Sequence, residues 1–162
     1  MFNKELADAL REKLLERKET IAVGESVTAG LLQAALSQAK DAKLFFQGGV
    51  TAYNIGQKYR RLLVDPIHAG ACNCVSEQVA ESMAENVCKM FGSDWGIGVC
   101  GYAAPARESN QKMYAYFAIS YDHRIISSGK LDSELKEGID TQLFYTETIL
   151  QQLYAFLLQD PD

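Results

Sequence analysis

Between Lys4 and Arg17 leucine returns every fourth residue, at Leu6, Leu10 and Leu14, with Lys, Glu and Arg between. That spacing lays one apolar stripe along a helix, and predicts an amphipathic helix over residues 3–17 capped by Asn3. Ile21-Ala22-Val23 is apolar and β-prone and predicts a buried strand. The chain then turns polar and flexible at Gly24, Glu25, Ser26, Thr28 and Gly30, and resumes as Leu-Leu-Gln-Ala-Ala-Leu from Leu31, a run of strong helix formers. Residues 44–53, LFFQGGVTAY, predict a second strand, in which Gly48-Gly49 marks a bulge or a close approach of backbone. A short helix over Ile55 to Leu62 follows, then an irregular stretch through Pro66 and His68 to Cys74. Ser76 caps a longer helix whose buried face is Val79, Met83 and Val87 and which ends at Gly92. WGIGVCGYA carries no charge and predicts a central third strand. MYAYFAISY and RIISSG form a hairpin around Asp122-His123, and a last helix runs from Ile139 to Leu158 with Leu143, Leu150, Leu153 and Leu157 on one face. Such β-α units followed by a hairpin and a helix predict a three-layer α/β/α sandwich. Its sheet would be mostly parallel, of about five strands, one of them antiparallel.

Composition changes this picture little. A chain of 162 residues, 48% hydrophobic and 23% charged, is an ordinary globular one, read as a single domain over 1–162. No apolar run reaches the length of a membrane span, and the acid-bearing N-terminus is not a signal peptide, so a cytoplasmic location and no membrane partner are expected. A net charge of −5 argues against nucleic acid as a partner but leaves a small anionic ligand open. Cys72, Cys74, Cys88 and Cys100 are expected to be reduced thiols. Cys72 and Cys74 have no second pair at ligand spacing, and His68 and His123 stand far apart, so no metal site is expected.

Candidate chemistry gathers in the turn after the first strand. In α/β units ligands bind beyond the carboxyl ends of strands, where the free amides of the next helix favour an anion. Glu25, Ser26, Thr28 and Gly30 sit there. Taken alone, the stretch favours Ser26 or Thr28 as an N-cap over chemistry. From the residues alone, Tyr53 reads as a packing residue and Lys58 as a solvated helix lysine beside Arg60 and Arg61, in preference to a site.

The segment Gly24-Glu25-Ser26-Val27-Thr28-Ala29-Gly30 resembles the Glu-Ser-x-Thr-Gly-Gly turn of the CinA carboxyl-terminal domain, the nicotinamide mononucleotide deamidase family. Gly48-Gly49-Val50-Thr51-Ala52-Tyr53 with Lys58 is similar to its second segment, in which Tyr and Lys stand five apart. Val75-Ser76-Glu77 resembles its Val-Ser-Glu helix opening, and Gly98-Val99-Cys100-Gly101-Tyr102-Ala103-Ala104-Pro105 its Thr-Gly-x-Ala-Gly-Pro loop. The resemblance implies metal-free and cofactor-free hydrolysis of the carboxamide of nicotinamide mononucleotide to the acid and ammonia. It implies Ser26 as nucleophile, Lys58 as general base and Tyr53 as proton relay or orienter. Glu25, Thr28, Gly30, Gly49, Cys100, Gly101 and Ala104 would then surround the substrate. Glu25 would position the turn or the ribose, and main-chain amides of Thr28 to Gly30, with the Gly101–Pro105 loop, would hold phosphate or oxyanion. A serine needs an adjacent base, and a lysine serves if burial lowers its pKa.

The chain departs from the family at Ala29, Cys100 and Ala104, and in a short loop from Pro105 to Met113. The family's last helix opens with an arginine-bearing segment, whereas this chain has no arginine after Arg124. Arg107 and Lys112 are the candidate replacements. A catalytically degenerate ligand-binding or oligomeric module, and hydrolysis of a different amide, are the alternative expectations. A homo-oligomer is left open.

Overall fold

The computed structural model of the chain describes residues 2–159. Helix α1 (Lys4–Arg17) is capped by Asn3, whose side chain accepts from the Leu6 N–H at 3.1 Å, and it buries Ala7, Leu10 and Leu14. Strand β1 (Ile21–Glu25) leads through the turn at 26–30 into α2 (Leu31–Ser37). β2 (Phe46–Thr51), α3 (Ile55–Leu62), α4 (Pro66–Ala71), α5 (Glu77–Phe91) and β3 (Trp95–Tyr102) follow. β4 (Met113–Tyr121), β5 (Arg124–Ser133) and α6 (Ile139–Leu157) complete the described chain.

The sheet order is β2-β1-β3-β4-β5. β1 is parallel to both neighbours, and β4 alone runs against the rest, pairing antiparallel with β3 and with β5. The register slips between Ile21, opposite Phe46, and Ala22, opposite Gly48, which is the irregularity the paired glycines predict. Because side chains alternate across a strand, Ile21, Val23, Ile97 and Val99 face the core shared with α1, α2 and α6, while Ala22 and Cys100 face the core shared with α3, α4 and α5. These are the three layers.

Glycine sets the spacing on the second face. A Cβ at Gly96 would lie 2.3 Å from the Ala84 carbonyl oxygen, and one at Gly98 would lie 2.1 Å from that of Ala80. Helix α5 therefore seats directly on the backbone of β3, closer than any side chain permits.

Two expectations need correction. The stretch from Pro66 is a short helix, not irregular chain: Asp65 caps it by accepting from the Ile67 N–H at 2.9 Å, and Pro66 occupies its first turn. On α6 the buried stripe is Thr141, Tyr145, Thr146, Ile149, Leu150, Leu153 and Leu157, while Leu143 is half-buried. The 3.6-residue period follows the stripe through two threonines and a tyrosine, which a leucine pattern passes over.

At the amino-terminal end of β3, Glu19 accepts from Trp95 Nε1 and Tyr121 Oη, both at 2.7 Å, and from Arg17 Nε at 2.7 Å. Burial raises the Glu19 carboxyl, but these three donors outweigh it and hold it below its usual range. The opposite end of the same strands carries the turn at Ser26.

Candidate active site

β1 and β3 are adjacent, yet the chain leaves β1 for β2 on one side and reaches β3 on the other. A crevice opens between the carboxyl ends of strands where such a reversal occurs. A cavity of about 690 Å³ lies there, with Ser26, Lys58, Asn73, Cys74, Tyr102 and Gln142 among its walls.

Ser26 follows β1 and is almost fully buried. It does not cap α2, and neither does Thr28: the N-cap position is Gly30, which offers no side chain. The capping work falls to Glu25. Its Oε2 accepts from the Thr28 hydroxyl at 2.5 Å and from the Gly30 and Leu32 N–H groups at 3.1 Å, and its Oε1 accepts from the Gln33 N–H at 2.9 Å. A carboxylate at the positive end of a helix is well placed, and here it is sealed inside the fold. The anion-binding end of α2 is thus filled by the chain's own carboxylate. Ser26 is left free of structural duty at the cavity wall.

Lys58, on α3, is 2% exposed. Its Nζ lies 2.8 Å from Ser26 Oγ, 2.9 Å from the Ala52 carbonyl oxygen and 3.5 Å from that of Tyr53. Neutral, the amine has two N–H groups, which match the two carbonyls, and one lone pair, which then faces the serine hydroxyl. Burial lowers the Lys58 pKa from the usual 10.5, and only the Cys74 and Cys100 thiols oppose it, by their charge when ionised. Those thiols are themselves displaced upward by burial, Cys100 to about 12, so near neutral pH they carry no charge to hold a proton on Lys58. The solvated helix lysine and the capping serine, as read from the residues alone, are both replaced by this buried pair.

Tyr53 is 69% exposed and stands at the cavity mouth, where its carbonyl, rather than its hydroxyl, meets Lys58. Gly101 and Ala104 line the cavity. Glu25, Thr28, Gly30, Gly49 and Cys100 do not. Glu25, Thr28 and Gly30 are turned inward on one another. A Cβ on Gly49 would lie 2.6 Å from Val23 Cγ2 and from Gln33 Cγ, so that glycine makes room for side chains rather than for a ligand. Cys100 is buried between β3 and α5 and donates to the Ser76 carbonyl at 3.4 Å. Ala29, in the position of a family glycine, sits at φ 50°, a left-handed conformation that favours glycine. Arg107 is exposed and, like Lys112, is not part of the lining.

Two polar wall residues were not among the expected site residues. Gln142, in the first turn of α6, donates from Nε2 to the Val27 carbonyl at 2.7 Å. Asn73 donates from Nδ2 to the Tyr102 hydroxyl at 2.9 Å. Asn73 lies in a segment without a motif and Gln142 at the helix start where the family carries arginine, and the fold brings both to the cavity of Ser26. Among the described residues no three His, Cys, Asp or Glu side chains stand together as a metal site. His68 is engaged instead by the Ser76 hydroxyl at 2.8 Å. Among the same residues, no helix is long and apolar enough to cross a membrane.

The molecule is thus an α/β/α sandwich with a buried serine–lysine pair at the carboxyl end of its central parallel strands. Residues 3–142 match the CinA C-terminal domain, and the chain belongs to that family. It is 41% identical over 107 residues to a CinA-like protein of Synechocystis sp., covering 66% of this chain and 26% of that protein. It is 32% identical over 161 residues to a CinA-like protein of Prochlorococcus marinus strain MIT 9301, covering 98% of this chain and 38% of the relative. The chain therefore spans between about a quarter and two fifths of the length of these relatives. Its fold superposes on the competence damage-inducible protein A of Klebsiella pneumoniae with a TM-score of 0.92 at 23% identity, covering 99% of this chain and 100% of that one.

Proposed function

We propose that the protein hydrolyses the carboxamide of nicotinamide mononucleotide, or of a related pyridine nucleotide, to the acid and ammonia. The observation that supports this reading is the 2.8 Å approach of Lys58 Nζ to Ser26 Oγ, with the lysine buried and its other contacts made to carbonyl oxygens.

In this reading neutral Lys58 takes the Ser26 proton as Oγ attacks the carboxamide carbon. The C–N bond then breaks, and Lys58 returns the proton to the departing amine, which leaves as ammonia. Water attacks the acyl-serine ester with Lys58 again as base, which frees the acid and restores Ser26. The main-chain N–H of Val27 follows the nucleophile in the chain at the cavity wall, and among the described residues it has no hydrogen-bond partner. It is the oxyanion donor of this scheme. Tyr53 orients the amine through its carbonyl, and Glu25 fixes the turn.

A second reading, a ligand-binding module without catalysis, is favoured by one observation: Gln142, not a cation, stands at the start of α6 on the cavity wall. The deciding experiment incubates pure protein with nicotinamide mononucleotide and measures ammonia, beside Ser26→Ala at equal concentration. Release that depends on Ser26 supports the amidohydrolase. Equal background release from both leaves the binding module.

A further inference from the structure

We propose that the exposed apolar face of α3 and α4 binds a second copy of this chain, and that the facing copy closes the mouth of the Ser26 cavity. This goes beyond the amide-hydrolysis reading and does not depend on it.

The face is what the fold leaves uncovered. Of the eleven large apolar side chains left exposed among the described residues, five fall close together in the chain: Tyr53, Ile55, Tyr59, Leu63 and Ile67. On α3, Lys58 and Leu62 turn inward, while Ile55 and Tyr59, one turn apart, turn outward, and Leu63 follows them at 67% exposure. Helix α4 carries no acid, lysine or arginine. Its Ala69 is buried, and its Ile67 is 84% exposed. The two helices meet, since a Cβ on Gly70 would lie 4.0 Å from Ile55 Cδ1. A helix that is apolar on its inner and outer sides packs against something on both, and a contiguous patch of this kind marks an interaction site.

The occupant is a second copy on two grounds. Five large side chains that each bare on the order of 100 Å², with the rim around them, come near the roughly 800 Å² that one partner gives to a standard interface. The rim also carries both signs, with Arg60 and Arg61 in the last turn of α3 and Asp65 at the start of α4, all exposed. A two-fold axis repeats both signs on the facing copy, so cation meets carboxylate, whereas a rim of one sign would repel itself.

The face and the cavity are continuous: Tyr53, Ile55 and Gly70 belong to both. In the single chain the Tyr53 ring stands open to water at the mouth. A copy seated on α3 and α4 covers that ring and supplies the outer wall of the site.

Sedimentation of the pure protein tests this. At about 10 µM it is expected to sediment at twice the mass of the chain, and Ile67→Asp and Leu63→Asn each to weaken the dimer at least about 30-fold. Ile67 is exposed in the single chain, and Asn accepts the left-handed backbone at Leu63, φ 52°, so both variants keep the fold of the monomer, which circular dichroism checks. Leu44→Asp, at an exposed residue elsewhere, should leave association unchanged. Hydroxyl-radical labelling of Tyr53 should fall at least about threefold in the dimer relative to Ile67→Asp. A monomer at about 100 µM, which leaves the face to a different protein, overturns the proposal. So does a dimer that Ile67→Asp and Leu63→Asn leave intact, or Tyr53 labelling that association does not change. None of these readings uses ammonia release, so the amidohydrolase can fail while the dimer stands, and the reverse.

Discussion

Lys58 Nζ reaches Ser26 Oγ at 2.8 Å across 32 residues of sequence, and both side chains are buried. Removing either end of this contact is expected to lower kcat at least about 10³-fold, and the double variant Ser26→Ala/Lys58→Met to do no worse than the singles, because the two act as one unit. Ammonia release measures the rate. Denaturant unfolding should find Lys58→Met within about 1 kcal/mol of the parent or above it, since an apolar group replaces a buried amine. Additive losses in the double variant would contradict the unit.

The pH profile follows from the same pair. Lys58 must be neutral to accept the serine proton, and its pKa lies below the usual 10.5. Activity is therefore expected to rise with pH through the lowered value and then level off. Stability has the same sign: the unfolded chain binds the Lys58 proton more tightly, so this group adds stability as pH rises from its folded value towards 10.5. Profiles of kcat/KM and of unfolding midpoint check both, and Lys58→Met should abolish this contribution to the stability slope.

Glu25→Gln should be costly although the residue does not line the cavity. Four donors converge on its carboxylate, and an amide would turn an N–H towards one of them. A loss of about 2 kcal/mol or more is expected, by urea unfolding, with a fall in kcat as the turn at Ser26 loosens. A variant with full stability and full activity would show that the carboxylate is dispensable.

Gln142→Arg should place a guanidinium on the cavity wall. The expected result is a shift of the kcat/KM ratio towards phosphorylated substrates by about tenfold, as one charge-assisted contact is gained. An unchanged ratio would mean that the phosphate lies outside reach of this position.

Gly98→Ala tests the seam between α5 and β3. The new methyl would sit 2.1 Å from the Ala80 carbonyl oxygen, which is backbone and cannot swing away. Destabilisation of about 3 kcal/mol, at the severe end of overpacking, is expected by thermal or urea unfolding.

The layers were legible because periodicity reports burial: Leu10 and Leu14, Val79, Met83 and Val87 all lie where the spacing puts them. So was the turn at the end of a central parallel strand. What was hidden depends on distance in space. Capping is sought in Ser, Thr, Asp or Asn just ahead of a helix, whereas Glu25 reaches forward to amides as far as Gln33. Gly70 dilutes α4, and its cap at Asp65 was the signal available. Lys58 looked solvated because its neighbours Arg60 and Arg61 are exposed, and only tertiary packing buries one cation of the three.

Helix α6 ties two connections with its first turns. The Gly138 N–H donates to the Ala103 carbonyl at 2.7 Å, Gln142 Nε2 to that of Val27 at 2.7 Å, and the Tyr145 hydroxyl to that of Tyr102 at 3.0 Å. The serine turn and the loop after β3 are thereby fastened to one rod, so the first turns of α6 and the crevice open and close as a single cooperative unit. Hydrogen exchange in that unit would then report on the shape of the crevice, and a fluctuation that frays the rod would loosen the turn at Ser26 while the sheet behind it stays folded.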